Sequence, residues 1–173
     1  MIYVKQLELI QVVVLVRYTK NRKRKAMETL TDQEWIYRQI VDFAQDGILF
    51  ADRDGIIRLW NLGAETIFGY TAQEALGQNL DLIVPEKLRE RHWEGYHRVM
   101  ETGESRYGKG LLKVPASHKS GKRISVEFTI ILVRNRQNEI LGSAAIMRDV
   151  TERWQKEKAL NEKLKSLESQ LNT

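Results

Sequence analysis

The stretch DGILFADRDGIIRLWNLGAETIFGYTAQEALGQNLDLIVPE, residues 46–86, carries the signals that decide the fold. Gly47–Asp52 and Ile56–Trp60 flank Arg53-Asp54-Gly55, a strand, turn and strand that read as a β-hairpin. Asn61 stands where a helix N-cap belongs, and a short helix follows through Phe68. Gly69-Tyr70 breaks it, Thr71 caps a second short helix to Leu76, and Gly77 ends that one.

Pro85 then opens a longer helix, at the position where a missing N–H costs nothing. At about 100° per residue, Leu88, His92, Gly95 and Val99 fall in one stripe, which is predicted to face the core. Gly95, one turn beyond the histidine, leaves room for something flat to approach. His97 lies roughly opposite Leu88, among charged residues, and is predicted to face water. His92 and His97 stand about 140° apart on the wheel, so they cannot grip one metal ion from the same helix. The string HWEGYH is therefore not a zinc-protease motif, which needs histidines four apart.

Thr102-Gly103 closes this helix, and three strands follow at roughly Arg106–Pro115, Arg123–Arg134 and Ile140–Asp149. Ser120-Gly121 and residues 135–138 mark the turns between them. In the middle strand Ile124, Val126, Phe128 and Ile130 alternate with Ser125, Glu127 and Thr129, which predicts one buried face and one wet face. Gly108-Lys109-Gly110 lacks any phosphate-loop continuation and reads as a strand irregularity, and His118 as a solvated loop residue. No nucleophile–base constellation appears, so no enzyme is expected.

Outside this block, Thr31 and Asp32 are good helix caps, and Trp35, Ile36, Ile40, Val41 and Phe43 suggest an amphipathic helix to about Ala44. Thr151 starts a last helix in which Leu160, Leu164, Leu167 and Leu171 are spaced four, three and four. That is a coiled-coil seam of under two heptads, marginal alone, so a homodimer through it needs help from the domain or from more chain. The expected organisation is an extension over residues 1–30, a flanking helix over 31–45, a core over 46–150 and an exit helix over 151–173.

Seven cations against Glu8 give residues 1–25 a net charge of +6, so residues 26–173 carry −1 of the total of +5. The folded part is not basic, and nucleic acid is not an expected partner. The chain has no cysteine, which excludes disulfides, thiol nucleophiles, cysteine–zinc sites and flavin–cysteine photochemistry. Leu7–Val16 is a short apolar run followed by the basic cluster Arg17–Lys25. It reads as an accessory strand or helix; the alternative, the cytoplasmic end of a transmembrane helix, would make the N-terminus membrane-associated. The expected location is the cytoplasm.

The order of elements and the residues together resemble the PAS domain family over about Tyr37 to Arg153. Residues 46–86 look like the first half of a PAS core. GKRISVEFTI and LGSAAIMRDVTER look like its last strands and an Asp-Val-Thr exit to a signalling helix. The implied fold is α+β, a five-stranded antiparallel sheet with short helices on one face and flanking N- and C-terminal helices. Within the family, PEKLRERH, residues 85–92, is similar to the same helix in the haem PAS domains of rhizobial oxygen-sensor histidine kinases. There the histidine matched by His92 is the iron ligand, and the arginine matched by Arg98 contacts a haem propionate.

The resemblance implies a sensor holding b-type haem through His92, responding to a diatomic gas or to redox state. Leu88, Gly95 and Val99 would line the helix side, with Leu112, Phe128, Ile130, Ala145 and Met147 opposite. The signal would leave through Asp149 and Thr151 to a downstream partner or output domain. One departure matters: the distal arginine of those kinases falls here at Leu112, so the oxygen-sensing donor has no match. Two other readings stand beside this one. In the first the chain is a cofactor-free PAS module that dimerises or docks, with His92 as a structural histidine and Arg98 as a surface residue. In the second it is a flavin-binding redox PAS domain.

Overall fold

The structure, a computed structural model, describes residues 31–104 and 110–171. The apolar run and basic cluster of residues 7–25, the expected strand start at Arg106, and Gly108 and Lys109 lie outside the described residues. Among the described residues no helix is long and apolar enough to cross a membrane. The chain divides into two units between Ile40 and Val41, the first of which is described only over residues 31–40.

In chain order the elements are α1 (Asp32–Phe43), β1 (Gly47–Asp52), β2 (Ile57–Trp60), α2 (Leu62–Phe68), α3 (Ala72–Ala75), two 3-10 turns (Leu80–Leu82 and Glu86–Leu88), α4 (Arg89–Thr102), β3 (Leu112–Ser117), β4 (Arg123–Arg134), β5 (Ile140–Asp149) and α5 (Thr151–Leu171). The five strands form one antiparallel sheet in the order β2-β1-β5-β4-β3. The expected α+β architecture, a five-stranded antiparallel sheet with short helices, is therefore present.

Local chemistry sets the short helices as the sequence predicts. The Asn61 side chain accepts from Ala64 N–H at the start of α2, and Gly69 closes that helix in the left-handed conformation. Thr71 and Glu74 form a reciprocal capping box on α3. The core lies between the sheet and these helices, with Phe68, Ile57 and Val126 as its largest fully buried side chains.

Asn61 does more than cap. It is 3% exposed; its Oδ1 also accepts from Ile48 N–H at 2.7 Å, and its Nδ2 lies 3.0–3.2 Å from the carbonyls of Val41, Ala44 and Asp46. One amide thus joins the entry to the sheet, β1 and α2.

Several features differ from the sequence reading, among them β3, read as ending at Pro115 and observed over Leu112–Ser117. The helix after Pro85 begins as a 3-10 turn, and α-helix proper starts only at Arg89. Glu127, predicted wet, is 8% exposed because the Arg153 guanidinium of α5 covers its carboxylate. α1 buries none of its residues: Trp35, Ile36, Ile40 and Phe43 are all exposed.

Replacing Asn61 with alanine strands several partly buried carbonyls and N–H groups, and is expected to cost about 2–4 kcal/mol. Urea denaturation measures this directly; a loss below ~1 kcal/mol would show that the hub is dispensable.

Candidate functional site

α4 leans over the sheet by its aromatic side chains. Tyr96 and Met100 are buried, and Trp93 and Val99 pack against the core. The buried face is therefore turned from the predicted stripe toward Tyr96 and Met100, and His92 sits at its edge rather than its centre. Tyr96 is held by its hydroxyl, which donates toward the carbonyls of Asp52 at 2.6 Å and Ala51 at 3.2 Å. Burial, together with the Asp52 carboxylate, pushes its phenol well above the ordinary value, so it stays protonated.

Trp93 donates its indole N–H to Asp81 Oδ1 at 2.8 Å, and its ring lies on Gly55 in the β1–β2 turn, where any Cβ would collide with it. Arg89 braces the same region, donating to the carbonyls of Asp81 and Val84 at 2.9 and 3.3 Å.

His92 is half-buried, and its Nδ1 is sealed from solvent with no hydrogen-bond partner. Its ring meets Trp93 edge-on at 5.1 Å and lies 5.9 Å from the Tyr96 ring. Burial holds the imidazole below its ordinary value of 6.5, with the Asp81 carboxylate pulling upward and His97 adding to the depression. His97 is exposed, as predicted, and its ring lies 5.6 Å from that of Trp93, tilted by 30°.

Around His92, Leu88 is half-buried at the end of the 3-10 turn, and a Cβ added at Gly95 would meet nothing within 4 Å. Arg98 is exposed. On the sheet, register brings the other candidates together in two adjacent rows on the core-facing side. Leu112 lies opposite Phe128 and Phe128 opposite Met147, while Ile130 lies opposite Ala145. Met147 and Ala145 are buried, whereas Leu112, Phe128 and Ile130 remain half-open. A separate groove of about 690 Å³ runs from Arg148 to Leu160, along the exit of the sheet into α5.

At that exit Asp149 Oδ1 accepts from the N–H of Thr151 at 2.8 Å and from its hydroxyl at 2.5 Å. The hydroxyl oxygen in turn accepts from Ser125 N–H on β4 at 2.9 Å. The first turn of α5 is thereby stitched to the strand next to β5.

A five-stranded antiparallel sheet in this order, short capped helices on one face and this exit agree with a match of the PAS fold family profile to residues 36–150. The chain belongs to the PAS family. As a PAS domain it is a sensory signalling module. The PAS domain of a Colwellia psychrerythraea protein is 25% identical with a TM-score of 0.61, covering 70% of this chain and 99% of that one. The sensor protein FixL of Bradyrhizobium diazoefficiens is 31% identical over 84 residues, which is 49% of this chain and 17% of FixL. The oxygen sensor protein DosP of Escherichia coli is 26% identical over 84 residues, 49% of this chain and 10% of DosP. The PAS chain thus spans less than a fifth of either of these sensor proteins.

Asp81, Trp93 and Tyr96 were not among the residues singled out from the sequence. Their signal was present in the aromatic pair three apart on α4, but their polar partners lie twelve and more residues away.

Because the folded chain holds His92 with a lowered proton affinity, the unfolded chain binds its proton more readily below pH 6.5. Stability of the ligand-free protein should therefore fall as pH drops through that value. His92→Leu should flatten this limb of the pH profile and His97→Ala should not; an unchanged profile in His92→Leu would place the titration elsewhere.

Proposed function

We propose that this PAS domain holds b-type haem through His92 and passes the state of the iron to α5. The observation that carries the reading is an imidazole at the edge of the core, with a sealed Nδ1 and open space beside Gly95 on the same helix. The residues fit a flat apolar group: the facing sheet rows are Leu112, Phe128 and Met147, then Ile130 and Ala145. Since Nδ1 is covered, Nε2 would be the atom to hold the iron and Nδ1 would keep the proton; with no acceptor there, that arrangement would cost about 1–3 kcal/mol. A neutral imidazole, favoured by burial, is the form that ligates.

When bound, the haem supplies an iron whose ligand or redox state changes with the signal. The chain's own residues carry the rest. Arg98, exposed on α4, would meet a propionate from the solvent side. Phe128 and Ile130 lie on the core-facing side of β4, while Ser125 and Glu127 on the same strand hold α5 through Thr151 and Arg153. A displacement of β4 would therefore reach α5 within one strand, without an intermediary element. A downstream partner or output domain would read the movement. The similarity to a protein named as an oxygen sensor supports a diatomic gas as the signal.

The cofactor-free reading keeps one observation of its own: α5 exposes Trp154, Leu160 and Leu164, an apolar seam that a second copy would cover. Leu167 and Leu171 lie outside the residues whose side chains are described.

Hemin added to the purified protein should produce a Soret band that His92→Ala abolishes or makes dependent on added imidazole. His97→Ala should leave the band intact, and Arg98→Ala should weaken retention without removing it, since an exposed ion pair contributes little. A wild-type protein that stays colourless with hemin rules the haem reading out. Separately, lysine at both Leu160 and Leu164 should move sedimentation toward monomer; an unchanged dimer would put the interface elsewhere, with the exposed apolar residues of α1 next in line.

A further inference from the structure

A histidine that binds a metal usually has its second ring nitrogen hydrogen-bonded, and that bond fixes the ring's plane. His92 has no such bond at Nδ1. What bounds its ring instead is aromatic: Trp93 meets it edge-on, with ring planes at 80°, and Tyr96 lies against it, tilted by 32°. Tyr96 is pinned by its hydroxyl to the backbone of β1. Trp93 is pinned at one end by the indole N–H bond to Asp81, and at the other by the bare face of Gly55. Asp81 in turn sits in the first 3-10 turn, its carbonyl accepting from Arg89 Nη2 and its carboxylate 3.6 Å from Arg89 Nε.

We infer that Asp81 is the positioning residue of His92, acting through the indole of Trp93: it fixes the imidazole plane that a direct hydrogen bond would otherwise fix. This deepens the haem reading and rests on it only for its ligand-bound half. The orienting role does not depend on a ligand, because every contact in the chain Gly55, Asp81, Trp93 and His92 is made by the protein's own residues.

The role separates from mere support by the type of group needed at position 81. Asparagine retains an oxygen that can accept the indole N–H but removes the charge, whereas leucine removes the acceptor. Trp93→Phe keeps an aromatic edge against His92 but drops the N–H, and serves if Asp81→Leu does not fold.

In protein labelled with ¹³C-histidine, the His92 ring signals and their nuclear Overhauser contacts to residue 93 report orientation without any ligand. Recorded well above pH 6.5, where the imidazole is neutral with or without the Asp81 charge, Asp81→Asn should leave them near wild type. Asp81→Leu and Trp93→Phe should shift and broaden them, while the His118 signals stay fixed. Hemin dissociation, followed by transfer to an apo-globin acceptor, should then quicken about 10- to 100-fold in Asp81→Leu and by under about threefold in Asp81→Asn. Equal His92 signals in the leucine and asparagine variants would overturn the inference. A wild-type protein that takes up no hemin would instead overturn the haem reading, and the ligand-free spectra would still decide the role of Asp81.

Discussion

The fold depends on a single buried amide. Asn61 stands at the junction of β2 and α2, and its side chain is shared among five backbone groups that come from four places in the chain. Its Nδ2 has two hydrogens for three carbonyls, so Val41 in the last turn of α1 and Ala44 and Asp46 in the link that follows compete for the same donor, while Ile48 of β1 donates to Oδ1. They are held close enough that none can drift. Gly63, next but one along the chain, allows this approach, because any Cβ there would collide with the Asp46 carbonyl. With the entry fixed, the strand β1 lies in register with β5 from Gly47 to Asp52, and the sheet can close around its centre.

What could be read from the sequence was what local chemistry decides. Asn61, Thr71 and Gly69 carry out their capping within a few residues, so their types alone predict the breaks between helices. The strands and their order followed from the turns at Gly55, Gly121 and Asn138 and from the resemblance of the whole to a known arrangement. The face of α4 was less legible. The 3-10 turn over Glu86–Leu88 takes Leu88 off the α-helical wheel, and two aromatics with polar tips turn inward because distant groups satisfy those tips. Glu127 was misread for the same reason. A carboxylate on an alternating strand looks solvated until Arg153, 26 residues on, is brought over it.

The candidate site shares this division. His92 and the open flank at Gly95 could be found by periodicity, and the facing residues by strand alternation. The aromatic clamp that holds the histidine could not be found, because it joins a turn, a 3-10 element and a helix that are separate in sequence. Phe128 lies on the core-facing side of β4 and Glu127 on the side in contact with α5, so the proposed recognition and transmission would fall to adjacent residues of one strand.

On the outer face of the sheet, Arg148 lies opposite Glu127 and grips Asp46 through both carboxylate oxygens. One ion pair therefore fastens the way into the core and another fastens the way out, side by side on the same surface. They differ in access to water: the side chains of Arg148 and Asp46 are 64% and 34% exposed, those of Arg153 and Glu127 49% and 10%. Dissolved ions weaken the first more than the second, since mobile charge screens open pairs more than partly covered ones. Ionic strength thus acts unequally on the two ends of the domain, loosening the incoming segment while the outgoing helix remains moored.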